Sequence, residues 1–265
     1  MIIVDSHAHL NMDEFDDDRD NVIKTAWKNG IKAILCPIEV TEKKSISIGL
    51  DLTQKYSHII AAAGVHPHLA KNFTPESEDI IMTMIRKKQI QGVGEIGLDF
   101  FYNFSEQSDQ IDVFRRQMNL ADNLGFPVII HSRNAANEVI KVIKETNFQS
   151  GGVLHCFTEN IDFARIMLDA GFYISFSGIL TYPKALDIRE AAIFIPLNRI
   201  LIETDSPYLT PVPYRRKIQR NEPAYVKEIA KYLAELKKIS LETLAEQTTE
   251  NFKHLFRFEI PELEC

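Results

Sequence analysis

Short, continuous apolar runs rich in Val and Ile recur along the chain at Ile2–Val4, Ile31–Cys36, Ile59–Gly64, Gly92–Gly97, Val128–Ile130, Gly152–His155, Phe172–Phe176 and Ile200–Ile202. Continuity rather than alternation is the pattern of strands buried on both faces, as in a parallel sheet covered by helices. Between the runs lie amphipathic segments of helical length: Arg19–Asn29, Lys43–Lys55, Glu76–Lys88, Glu106–Leu124, Asn134–Glu145, Ile161–Ala170, Ala185–Ile195 and Pro223–Leu236. Gly30, Gly125 and Gly171 stand just past helix ends, and Thr74-Pro75 and Glu222-Pro223 stand at helix starts. Strand–helix alternation predicts an α/β fold. Eight repeats in about 250 residues favour a closed (β/α)8 TIM barrel over an open doubly wound sheet. With no Pro/Gly/Ser-rich linker, residues 1–265 are expected to form one domain. The C-terminal helix Leu241–Phe256 is expected to pack outside the barrel as an addition.

Composition narrows the class. With 30 Lys and Arg against 37 Asp and Glu, the net charge of −7 excludes a globally basic nucleic-acid binder but leaves room for a local basic patch. Cys36, Cys156 and Cys265 have no framework spacing, so free thiols in a reducing compartment are expected. No apolar stretch approaches the length of a membrane span. The first residues, which carry Asp5, His7 and His9, do not read as a signal peptide. A cytoplasmic monomer without a membrane partner is therefore the expectation.

The chemistry gathers where the strands end. The first run leads into Asp5-Ser6-His7-Ala8-His9, the third into His66-Pro67-His68 and the fourth into Glu95-Ile96-Gly97-Leu98-Asp99. The fifth leads into His131-Ser132-Arg133, the sixth into His155-Cys156 and the eighth into Glu203-Thr204-Asp205. In a barrel these ends converge on the face where active sites of this fold lie. Counting His68 as loop, five of the eight histidines sit there. His7 and His9 fall on one side of a strand and can hold one ion. Glu95, buried among apolar neighbours, calls for a compensating cation. Together with His131 and His155 it forms a second three-ligand set, and Asp205 is the remaining barrel-end carboxylate. Each residue has a plainer reading alone: a polar turn, a buried ion pair, a rim histidine, or an Asp-Ser-Pro helix cap. Four imidazoles and two carboxylates suffice for two divalent ions, Mg²⁺, Mn²⁺ or Zn²⁺, with Glu95 the candidate bridge. The segment Tyr208–Pro223 carries Arg215, Arg216, Lys217 and Arg220 beside tyrosines, a pattern suited to phosphates and bases or to a solvated loop. Arg133 is a second candidate phosphate contact. His66 fits neither metal set clearly and is assigned to the substrate.

These motifs, in order and without a gap, resemble those of the TatD family of metal-dependent deoxyribonucleases from residue 2 to about residue 255. The resemblance implies an amidohydrolase-like barrel, two divalent ions and hydrolysis of DNA, with RNA as a further possible substrate and 3′→5′ exonuclease action. It assigns His7, His9, Glu95 and Asp205 to one ion, and Glu95, His131 and His155 to the other. Many amidohydrolase-like enzymes bridge their ions with a carbamylated lysine on strand four. Gln91 to Phe100 contains no lysine, and Glu95 occupies the corresponding place. The expected catalytic groups are Asp205 as base, Glu95 as bridge and His66, with His66, Arg133 and Arg215 on the phosphate. Two rivals remain open: a two-metal hydrolase of a small ester, lactone, cyclic amide or aminoacyl-tRNA, and a non-catalytic nucleic-acid-binding module.

Overall fold

The computed structural model describes residues 2–262, so the expected free thiol of Cys265 lies outside the described residues. Eight parallel strands pair in chain order: β1 (Ile3–Asp5), β2 (Ile31–Glu39), β3 (Ile59–Gly64), β4 (Gly92–Asp99), β5 (Val128–Arg133), β6 (Gly152–Leu154), β7 (Tyr173–Phe176) and β8 (Ile200–Ile202). Outside them run α1 (Arg19–Lys28), α2 (Lys43–Lys55), α3 (Pro75–Arg86), α4 (Gln107–Leu124), α5 (Ala136–Thr146), α6 (Ile161–Asp169), α7 (Leu186–Phe194) and α8 (Val226–Lys237), followed by α9 (Leu241–Phe256). The expected TIM barrel is the fold. Strand alternation divides the core: Val4, Ala33, Leu35, Ile60, Ala62, Ile129, Val153 and Leu201 fill the barrel interior. Their neighbours Ile34, Ala61, Ile130, Leu154 and Ile202 pack beneath the helices.

Two features depart from the sequence expectation. First, α9 does not pack outside as a mere addition. Its Phe252, Leu255 and Phe256 belong to the interior cluster. Asn251 Nδ2 donates to the carbonyls of Leu197 and Ile200 at 2.9 and 2.7 Å, and Thr249 Oγ1 donates to Ile2 O. The helix thus plugs the amino-terminal mouth, because its aromatic side chains bury most area there. Second, seven ladders join β1 through β8, while the eighth seam closes through residues beyond the strands. Ser6 N bonds to Ile202 O (3.0 Å), Asp205 N to His7 O (2.9 Å) and His9 N to Ser206 O (2.8 Å). Asp5, fully buried, accepts from Thr204 N (2.9 Å), Thr204 Oγ1 (2.6 Å) and His7 N (3.3 Å) across this seam. It staples β1 to the end of β8 rather than touching an imidazole ring.

Strand β4 approaches β5 so closely that a side chain at position 97 is excluded. Gly97 has φ +136°, and a Cβ there would lie 2.0 Å from His131 O. Gly94 and Gly97, on either side of Glu95, therefore permit the close approach of β4 to β5. Among the described residues no helix is long and apolar enough to cross a membrane.

Candidate metal centre

Every expected ligand arrives at the carboxyl-terminal mouth. The Glu95 carboxylate lies at its middle, with its two oxygens facing opposite groups. Oε2 is 3.2 Å from His7 Nε2 and 3.6 Å from His9 Nε2, and Asp205 Oδ1 lies 3.3 Å from His9 Nε2. Oε1 is 2.7 Å from His155 Nε2, 2.9 Å from His131 Nδ1 and 3.3 Å from His66 Nε2. Burial raises the Glu95 carboxyl, but the surrounding imidazoles, His155 foremost, outweigh it and hold it well below the usual range. At Asp205 burial likewise raises, and the bond from His9 with the charges of His155 and His9 lowers further, so the net shift is downward. Both carboxylates are ionised at neutral pH.

The donor set fits divalent cations. His7 Nε2 and His9 Nε2 are 3.2 Å apart, and His131 Nδ1 and His155 Nε2 are 3.3 Å apart. Within such a pair only one nitrogen can carry a proton toward the other, so at least one lone pair in each faces a neighbour. Hydrogen-bond partners orient the second pair. His131 Nε2 meets Asp99 Oδ2 at 3.3 Å and His155 Nδ1 meets Glu203 Oε1 at 3.2 Å. Burial lowers both imidazoles, but these acids together with Glu95 outweigh it and push them up toward the charged form, so a cation bound there would displace a proton from the nitrogen that faces Glu95. Three groups have their ligand atoms close enough to hold an ion: His7, His9 and Glu95; His7, His155 and Glu203; and His66, Glu95 and His131, the last only if His66 Nε2 gives up its proton.

His66 sits closer to the centre than its assignment to the substrate implied. Its Nδ1 accepts from His68 N at 3.2 Å, so Nε2 carries the ring proton and points an N–H into the site. Burial pushes its pKa down to about 4, which keeps the ring neutral. It is a neutral donor and not a counter-charge.

Three supporting acids were given no role by the sequence, although Asp99 and Glu203 stood among its strand-end residues. Asp99 accepts from His68 Nε2 (2.8 Å) as well as bonding His131, and Glu203 also accepts from Cys156 N (2.6 Å). Glu39, at the end of β2, accepts from His66 N at 2.8 Å and fixes that backbone. The period of two that groups His7 with His9 also groups Glu95 with Asp99 and Glu203 with Asp205, and would have found the first two. Asp205 and Cys156 both hold left-handed backbone, with φ of +55° and +46°. Such strain, of roughly 1–3 kcal/mol each, is tolerated where surroundings over-determine the conformation. Buried Cys36, its thiol pushed up to about 12 by desolvation, is inert.

The basic segment is less free than its charge pattern implied. Arg220 is bound to both oxygens of Asp18 at 2.6 Å and to Glu222, tying the loop after β8 to the loop after β1. Arg215 lies 3.8 Å over the Tyr182 ring, and Arg216 and Lys217 are exposed. Arg133 lies over Phe101 and Tyr102 at 4.3 and 4.6 Å.

A family model described as TatD related DNase matches residues 4–257. The uncharacterized metal-dependent hydrolase YabD of Bacillus subtilis is 38% identical over 97% of this chain and 99% of its own length. The 3′-5′ ssDNA/RNA exonuclease TatD of Salmonella typhimurium is 35% identical over 95% of this chain and 98% of its own. The crystal structure of YJJV, a TatD homologue from Escherichia coli K12, superposes with a TM-score of 0.89 at 26% identity, covering 97% and 98% of the two chains. The chain belongs to the TatD family and is a metal-dependent hydrolase.

Proposed function

From this membership we propose that the chain hydrolyses phosphodiester bonds of nucleic acid, DNA first and RNA as a further substrate, working from a 3′ end. The observation that carries the reading is the Glu95 carboxylate, one oxygen facing His7 and His9 and the other His131 and His155. His7, His9, Glu95 and Asp205 would hold one divalent ion, and Glu95, His131 and His155 a second. Such cations lower the pKa of water and stabilise charge on a phosphoryl group. The exonuclease name of the Salmonella relative supports the choice of substrate.

The chain's own residues supply the rest. Asp205, ionised and held by His9 at 3.3 Å, accepts the proton of the attacking water. His66 donates a hydrogen bond from its Nε2–H to a phosphate oxygen, and Arg133 and Arg215 balance charge at the rim. A small neutral substrate would have no use for those two guanidiniums.

End-labelled single- and double-stranded DNA and RNA, incubated with Mg²⁺, Mn²⁺ or Zn²⁺, test the reading. Stepwise shortening from the 3′ end is expected, and Asp205→Asn should lose about a hundredfold or more in rate while staying folded. Near wild-type turnover by that variant at saturating metal would remove Asp205 from the role of base. Intact oligonucleotides under all three metals would remove the nuclease reading.

A further inference from the structure

The connection from β4 to α4 carries three large aromatic residues in contact with solvent: Phe101 is 54%, Tyr102 46% and Phe104 55% exposed. Single exposed apolar residues are ordinary, but three within four positions form a patch. The Tyr102 and Phe104 rings are parallel within 4° at a centroid distance of 5.3 Å, and Phe101 stands edge-on to Tyr102 at 4.9 Å. The Arg133 guanidinium covers Phe101 and Tyr102 from one side.

The patch is held in register with the metal centre. Asp99 Oδ1 accepts from both Phe101 N and Tyr102 N at 2.9 Å, while Oδ2 of the same carboxylate meets His131 Nε2. His68, also on Asp99, sets its ring edge against Phe104 at 4.8 Å. One buried carboxylate thus fixes both a ligating imidazole and the backbone beneath the aromatic rings. A rigid, flat, π-faced surface bordered by a guanidinium matches an unpaired base and its phosphate. Three side chains are too small an area for a stable protein interface, which needs about 800 Å² on each partner.

Resting on the nucleic-acid reading above, we propose that Phe101, Tyr102 and Phe104 form a stacking platform for an unpaired nucleobase of the substrate, with Arg133 placed for the adjoining phosphate. Tyr102 and Phe104 already stack on each other and Arg133 covers Tyr102, so the base lies on the exposed outer side of Phe104 and not between the two rings. A paired base offers no free face, so the platform selects single-stranded or frayed ends.

The test is binding without turnover. Fluorescently labelled oligothymidylate of about ten nucleotides and an abasic strand of equal length are titrated with metal-free protein in EDTA, and anisotropy is read. Wild type should bind the base-bearing strand about five- to a hundredfold tighter. Tyr102→Ala/Phe104→Ala should lose that preference while binding the abasic strand unchanged, and Tyr102→Phe/Phe104→Tyr should keep it. Melting curves of the variants establish that they are folded. No base dependence in wild type, or its survival in the double alanine variant, overturns the platform. So does a change only in sedimentation mass, which would mark an interface between copies. Base-dependent binding without metal-dependent cleavage keeps the platform and removes the nuclease reading, and cleavage without base dependence does the reverse.

Discussion

At the amino-terminal mouth of the barrel, Phe252, Leu255 and Phe256 press into an interior of Val, Ile, Leu and Ala side chains. At the other mouth the same strands end in five imidazoles around one carboxylate. The first surface is satisfied by volume and shape, so its residues are exchangeable within limits of size. The second is satisfied only by particular atoms, since a ring rotated or a tautomer reversed presents a proton where a lone pair is needed. Stability and chemistry are therefore separable along the barrel axis, and substitutions can show where that separation fails.

The largest effect is expected at Glu95. Glu95→Ala should lower bound metal from two ions per chain toward one or none by elemental analysis. It should also cost about a thousandfold in rate, the several kcal/mol such ions contribute. Two retained ions would exclude it as the bridge. At the opposite mouth, Phe252→Ala should remove about 3–5 kcal/mol of stability in denaturant titrations and leave the turnover of folded molecules unchanged. A fall in that turnover would couple the two ends. Asp99→Asn probes whether orienting acids belong with the ligands: metal affinity measured calorimetrically should drop about 10- to 100-fold.

Asp5 should act on the pH dependence of stability. Burial raises its pKa from 3.8 to about 8, so its carboxyl is neutral through most of that interval. The folded chain then holds a proton that the unfolded chain releases. The contribution to stability is full below about pH 4 and declines as pH rises toward 8. In metal-free protein, urea midpoints of Asp5→Asn should vary less between pH 5 and pH 8 than those of wild type. An equal slope would mean that Asp5 is ionised in the folded state.

Much of this was legible in residue order. Continuous apolar runs marked the strands because both faces of a parallel sheet are covered, and strand ends marked the site because the barrel gathers them. What periodicity could not show was where a helix goes once the barrel is full. The apolar stripe of α9 reads the same whether it lies along the barrel wall or across its mouth. Nor could charge counting show that Arg220 is spent on Asp18, since that pairing spans some two hundred residues and depends on two loops meeting. Asp99 and Glu203 were visible as acids, but their roles rest on which ring nitrogen each one meets.

The closing seam bears on when the protein becomes active. Ser6, His7 and His9 come from the start of the chain, and their partners Ile202, Asp205 and Ser206 come from a point almost two hundred residues later. Contacts of such separation form late, because a long loop must close before they are rewarded. A ribosome releasing the first six strands has already delivered His7, His9, Glu95, His131 and His155, yet neither the Asp205 carboxylate nor the seam that aligns the histidines of β1. A chain in which β8 has not docked against β1 thus lacks the seam that brings His7 and His9 beside Asp205.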